Sequence, residues 1–114
     1  MSTDRELLEL AARAAGIKVE SWVFESDDPK FQGAWLNDDE FSGEGWWNPL
    51  TDDGDALRLA VKLDMDIFIR RCSMWSGVVA PMVPAIEEDH GGDPYAATRR
   101  AIVRAAAAIG RGMP

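Results

Sequence analysis

The spacing of apolar and polar residues changes period several times along the chain, and each change predicts a new element. Leu7, Leu8, Leu10, Ala11, Ala14 and Ala15 recur at helical spacing, which predicts a helix over residues 4–15 with one broad apolar face. Thr3-Asp4-Arg5-Glu6 fits a capping box, in which Thr3 and Glu6 each satisfy an orphan N–H, and Gly16 is suited to end the helix. From Lys18 to Leu36 the pattern shifts. Val19, Trp22, Val23, Phe24, Phe31, Trp35 and Leu36 flank the turn-like Ser26-Asp27-Asp28-Pro29, as in a hairpin. Residues 37–45 are acidic and contain glycine, with no apolar run long enough to bury itself, so they predict an exposed connection.

A second helix of about three turns begins near Thr51 to Asp53, because Ala56, Leu59, Ala60 and Leu63 recur at helical spacing, with Leu57 and Val61 broadening the face. Ile67 to Trp75 is rich in strand-favouring residues. Ser76-Gly77 then predicts a turn and Val78 to Ile86 an antiparallel return, which Pro81 and Pro84 make an edge strand or only partly paired, because proline cannot donate to a ladder. Asp89 to Gly92 breaks the chain, Asp93 is placed to cap a last helix, and Pro94 suits its first position. That helix runs to about Ile109, before Gly110. Tyr95, Ile102, Val103, Ala106 and Ile109 mark its inner side, and Arg100, Arg104 and Arg111 line another. The predicted order is α-β-β-α-β-β-α, a layered α+β domain with about four antiparallel strands. At 114 residues, one domain spanning 1–114 is expected.

Composition narrows the class. An apolar content of 46% with ten aromatic residues is that of a packed core. The net charge of −8 is unevenly divided: residues 1–93 hold all twenty acids with eight bases, while residues 94–114 hold four arginines and no acid. Such a field repels phosphate, which argues against direct nucleic-acid binding and for a basic protein partner. Cys72 is the lone cysteine, which excludes an internal disulfide and fits a reducing compartment. It reads as a small core or strand residue. The N-terminus carries acids where a signal peptide has bases, and no apolar run is long enough to cross a bilayer, so a cytoplasmic protein is expected.

Candidate chemistry is sparse. Asp52-Asp53-Gly54-Asp55 invites a calcium reading, but with Gly54 at the glycine of an EF-hand loop the first ligand position falls on Pro49 and the twelfth on Ala60. Helix capping accounts better for these acids. His90 lies in an acidic, glycine-containing loop with no identifiable nucleophile or orienting group, so a solvated turn is the simpler reading. No catalytic set, metal site or cofactor site is expected, and the protein reads as a non-enzyme. Of Trp46 and Trp47, at least one belongs in the core, with Asn48-Pro49 turning the chain into the helix. Residues 20–55 carry eleven acids and a single base, Lys30. Trp35, Asp38, Asp39, Glu40, Phe41, Glu44 and Trp46 are therefore the candidate partner-binding residues, an acidic aromatic surface suited to a basic protein. Arg100, Arg104 and Arg111 are an alternative anion-binding set, although the dipole of a helix C-terminus also explains cations there.

Three segments carry a resemblance: Asp4 through Ile17, Trp47 through Ala60 with its Trp-Asn-Pro-Leu-Thr-Asp-Asp start, and Asp93 through Ala106 with its Asp-Pro-Tyr start. Together they resemble the phage alpha-beta-alpha sandwich domain family of small phage and prophage proteins. The resemblance implies a three-layer-like sandwich of helices around a sheet, a phage or prophage origin, and action inside a bacterial cell. It implies no reaction. Residues 22–45 depart from the family pattern. On this basis the expected function is an accessory protein that binds a host protein, such as an anti-defence inhibitor of the anti-CRISPR kind. A protein that sequesters a nucleotide signal is the second expectation, and an oligomeric structural or regulatory phage protein the third.

Overall fold

A computed structural model describes residues 3–24, 32–36 and 45–113. The elements are α1 (Asp4–Ala15), β1 (Val19–Val23), β2 (Gly33–Leu36), β3 (Trp46–Trp47), α2 (Asp53–Lys62), β4 (Asp66–Arg70), β5 (Trp75–Val79), β6 (Ile86–Asp89) and α3 (Pro94–Arg111). The class is α+β. All three helices open on a side-chain cap that accepts a first-turn N–H. Thr3 Oγ1 takes the Glu6 N–H at 3.2 Å, Asp52 that of Asp55 at 2.8 Å, and Asp93 that of Ala96 at 3.0 Å. α1 ends at Gly16 in the left-handed conformation (φ 69°), as expected. Gly110 does not end α3, which continues to Arg111. A Cβ on Gly110 would fall on the Leu10 carbonyl, so this glycine permits the close crossing of α1 and α3.

The strands depart from the expected four. Among the described residues, six strands form two separate antiparallel sheets, ordered β1-β2-β3 and β4-β5-β6. The predicted hairpin is present, with Trp22 opposite Ala34 and Val23 opposite Gly33; its Ser26 to Pro29 turn lies outside the described residues. β3 is two residues long, too short to show a period, and exists because Trp46 and Trp47 pair with Trp35 and Ala34. In the second sheet the turn occupies residues 71–74 rather than Ser76-Gly77. Met74 adopts a positive φ of 61° there, and Cys72 is exposed in the turn rather than in a core or strand. Ser76 and Gly77 are buried in the central strand β5. Gly77 is tolerated there because a Cβ would lie 2.9 Å from the Trp75 ring, so the ring occupies that space. Val78 to Ile86 is not one strand. The chain leaves β5 at Val79, passes Pro81, Met82 (φ 67°) and Pro84, and returns as β6, so of the two expectations the segment is only partly paired, with both prolines in its unpaired loop.

One core unites these elements, with Leu7, Leu8, Leu36, Trp47, Leu59, Val78, Ile102 and Val103 among its members. α3 is its axis and packs on α1, α2, β5 and β6. Ala101, Ala105, Ala106 and Ala107 are fully buried, and their small side chains let neighbouring backbones approach. Among the described residues the β4-β5-β6 sheet is covered by helix on one face only. Ile67, Val78 and Ile86 point to the core, whereas Phe68 and Val79 on the other face are each 41% exposed. For this sheet the expected three layers are two. Three further residues differ from expectation: Leu57 and Val61 do not broaden the buried face of α2, and Tyr95 is not on the inner side of α3, since all three are exposed. No helix of the described residues is long and apolar enough to cross a membrane.

Candidate functional site

The segment from Trp46 to Arg58 is organised by hydrogen bonds within itself. Asn48 Oδ1 accepts the Leu50 N–H at 3.1 Å, and its carbonyl accepts those of Thr51 and Asp52 at 3.1 and 2.9 Å. This reverses the chain at the buried Pro49. Asp55 closes the motif, because its carboxylate accepts the Asn48 N–H at 3.0 Å and the Arg58 guanidinium at 2.8 Å. Burial pushes the Asp55 carboxyl above the ordinary carboxylate range; the Asn48 N–H and Arg58 oppose that shift, and Asp52 adds to it. Asp53 pairs with Arg99 at 2.6 Å, and Arg99 also donates to the Leu50 carbonyl at 2.8 Å. Each acid of the Asp52-Asp53-Asp55 group thus holds a turn, a cap or a neighbouring helix. Among the described residues no group of three or more His, Cys, Asp or Glu side chains is arranged to hold a metal ion.

The tryptophan pair is divided between the two faces of the first sheet. Trp47 is fully buried, its Nε1 has no hydrogen-bond partner among the described residues, and it meets Trp22 edge to face with centroids 6.4 Å apart. Trp22 stacks on Phe24 at 5.7 Å, under the Arg5 guanidinium. Strand alternation sends Trp46 to the other face, where it meets its cross-strand partner Trp35 at 5.1 Å and an interplanar angle of 70°. Trp35 is 38% exposed and Trp46 half-buried. Gly45, at φ 83°, lies against the Trp35 ring, where a Cβ would come within 2.9 Å. The Leu36 N–H donates to the Gly45 carbonyl at 2.6 Å and so closes the two ends of the intervening segment. The other candidate contact residues, Asp38, Asp39, Glu40, Phe41 and Glu44, lie outside the described residues.

Arg100, Arg104 and Arg111 do line one groove, of about 490 Å³, together with Leu7, Ile86 and Glu88. Glu88 already takes Arg104 at 2.8 Å and Arg100 at 3.5 Å, and Arg100 reaches Asp4 at 3.1 Å. An anion would therefore have to displace a carboxylate. Arg100 and Arg104 also lie more than a turn before the helix end, beyond the reach of the dipole; their ion pairs explain them instead.

His90 is not a solvated turn residue. It is buried, and its Nε2 lies 2.8 Å from Ser76 Oγ, which lies 2.8 Å from Thr98 Oγ1, which donates to the Pro94 carbonyl at 2.7 Å. Proton counting orients this chain. The Thr98 proton goes to Pro94, so Ser76 donates to Thr98 and His90 Nε2–H donates to Ser76. A catalytic serine–histidine pair needs the opposite polarity and an accessible serine, whereas Ser76 is fully buried. The three side chains clasp β5 and the end of β6 to α3. Sequence reasoning missed this clasp because a single serine and a single histidine fourteen positions apart show no periodicity.

It also missed an apolar groove of about 370 Å³ between α2, β4 and α3, where Ala56, Leu57, Ile67, Ile69, Tyr95 and Ile102 converge. Helical spacing assigns Leu57 and Tyr95 to the core, whereas both are exposed and build this surface. Compared with protein families, curated proteins and solved structures, the chain matches none.

Proposed function

We propose that the protein acts by binding another protein, with the outward pair Trp35 and Trp46 as the centre of the contact. The observation that carries this reading is the pair itself: two indoles held edge to face on adjacent strands, with Trp35 open to solvent. Tryptophan gives large binding energy where a partner desolvates it, and strand-borne rings lose little freedom on binding. Asp38, Asp39, Glu40 and Glu44 belong to the chain segment joining these two strands. Their charge favours a basic partner and speeds encounter with it. The partner class that best fits this charge is a nucleic-acid-handling protein of a bacterial host. The resemblance to small phage proteins extends the reading to an accessory, anti-defence role in the bacterial cytoplasm, without enzymatic activity. Ser76, His90 and Thr98 are committed to their clasp, and Arg99, Arg100 and Arg104 to ion pairs, which leaves the indole pair as the stronger candidate.

The test is affinity capture from bacterial lysate with the native chain and with the double variant Trp35→Ala, Trp46→Ala. The native chain should enrich a basic host protein, with loss at raised ionic strength. The double variant should lose at least tenfold in capture while retaining its helical circular dichroism. Equal capture by a folded double variant would remove these residues from the contact.

A further inference from the structure

In the second sheet β5 is central, so β4 is an edge strand whose outer side is unpaired among the described residues. Edge strands are ordinarily protected by proline, a bulge, an inward charge or shortness. β4 has none of these between its ends. Its five residues pair with β5 without a register shift, from Asp66 opposite Val79 to Arg70 opposite Trp75. Apolar side chains are exposed on both its faces, Phe68 at 41% and Ile69 at 55%.

The strand reads Asp-Ile-Phe-Ile-Arg, which is self-complementary when a copy is reversed about Phe68. Asp66 then faces Arg70, Ile67 faces Ile69, and Phe68 faces its own equivalent. Neither Asp66 nor Arg70 has an ion-pair partner among the described residues. Both charges are supplied by the reversed copy, one at each end of the pairing. Any register shifted by two residues loses both charge pairs. Ile67 and Ile69 also line the apolar groove with Leu57 and Tyr95, so a twofold pairing brings the two grooves to the same side of the sheet.

We propose that the protein forms a twofold dimer through antiparallel pairing of β4 with β4 of a second copy, giving a continuous six-stranded sheet. The contact is isologous, as a twofold interface must be. Opposite charges facing across strands stabilise the pairing, and like charges disfavour it. The proposal is independent of the Trp35–Trp46 contact, which belongs to the other sheet.

Analytical ultracentrifugation of the full chain over a range of concentrations tests it. The native chain should dimerise. Asp66→Arg and Arg70→Asp should each weaken the dimer by about tenfold or more, since each creates two like-charge pairs, and the double reversal should restore it. Both positions are exposed, and circular dichroism should show every variant folded. A monomer at every soluble concentration, single reversals without effect, or a double reversal that fails to restore would each overturn the proposal. Register is read separately in a Cys72→Ser background. Directly facing Cα atoms lie about 4.5–5.5 Å apart, within the span of a disulfide. Phe68→Cys should therefore cross-link to itself on mild oxidation and Ile69→Cys should not; the reverse result would overturn the register.

Discussion

Single side chains decide the local geometry of this protein. Asp55 is buried and accepts from both Asn48 and Arg58, yet burial outweighs these partners and raises its carboxyl above the ordinary range. A carboxyl raised in the folded state contributes stability that is fully present below the unfolded value, about 3.9 for aspartate, and is lost as pH rises through the raised value. The stability of the native chain relative to Asp55→Asn should therefore fall as pH rises through that window, measured by urea denaturation at a series of pH values. A rising difference would contradict the assignment. Ser76 has a comparable local role, as acceptor for His90 and donor to Thr98. Ser76→Ala leaves a buried imidazole N–H without its acceptor, which costs about 1–3 kcal/mol. Denaturation midpoints of the native chain and the variant measure that loss.

Elements follow the sequence where a cap and a period coincide. Thr3, Asp52 and Asp93 each cap the helix expected of them, because a capping residue and a 3.6-residue apolar repeat are both local signals. The sheets were less legible, because cross-strand partners are distant in sequence. Trp46 and Trp47 become a strand only because Trp35 and Ala34 stand opposite, and Ser76-Gly77 has turn composition but is held straight by the Thr98–His90 clasp and the Trp75 ring. Of the tryptophan pair, the sequence places at least one in the core, and only the pairing with Trp35 and Ala34 makes Trp47 the buried one and turns Trp46 outward. The apolar groove was not legible, since helical spacing alone cannot say whether Leu57 faces the core or an open edge. Gly110 is a related case, because composition cannot distinguish a terminating glycine from a packing one. Gly110→Ala should destabilise by about 1–3 kcal/mol, the range for overpacking, because its Cβ meets the Leu10 backbone. Gly112→Ala, with no contact closer than 3.6 Å, is the neutral control in thermal denaturation.

At the scale of the whole molecule, α3 joins parts that have no backbone pairing with one another among the described residues. Among the described residues the two sheets share no hydrogen-bonded strand, and α1, α2 and the second sheet all pack on this helix. Loss of α3 would therefore remove the common surface of the core, consistent with one cooperative unit. The same arrangement keeps the proposed contacts apart, the partner at the Trp35–Trp46 face and the second copy at β4. A dimer built through β4 would carry two indole faces and so would present two partner sites at once, a bivalent arrangement whose avidity depends on whether a partner's sites match that spacing. The Trp35–Trp46 pair has an optical consequence as well. Two indole transition dipoles fixed at 5.1 Å and 70° couple as excitons, so this surface carries its own chromophore, and a partner that parts or reorients the rings changes its circular dichroism without any added label.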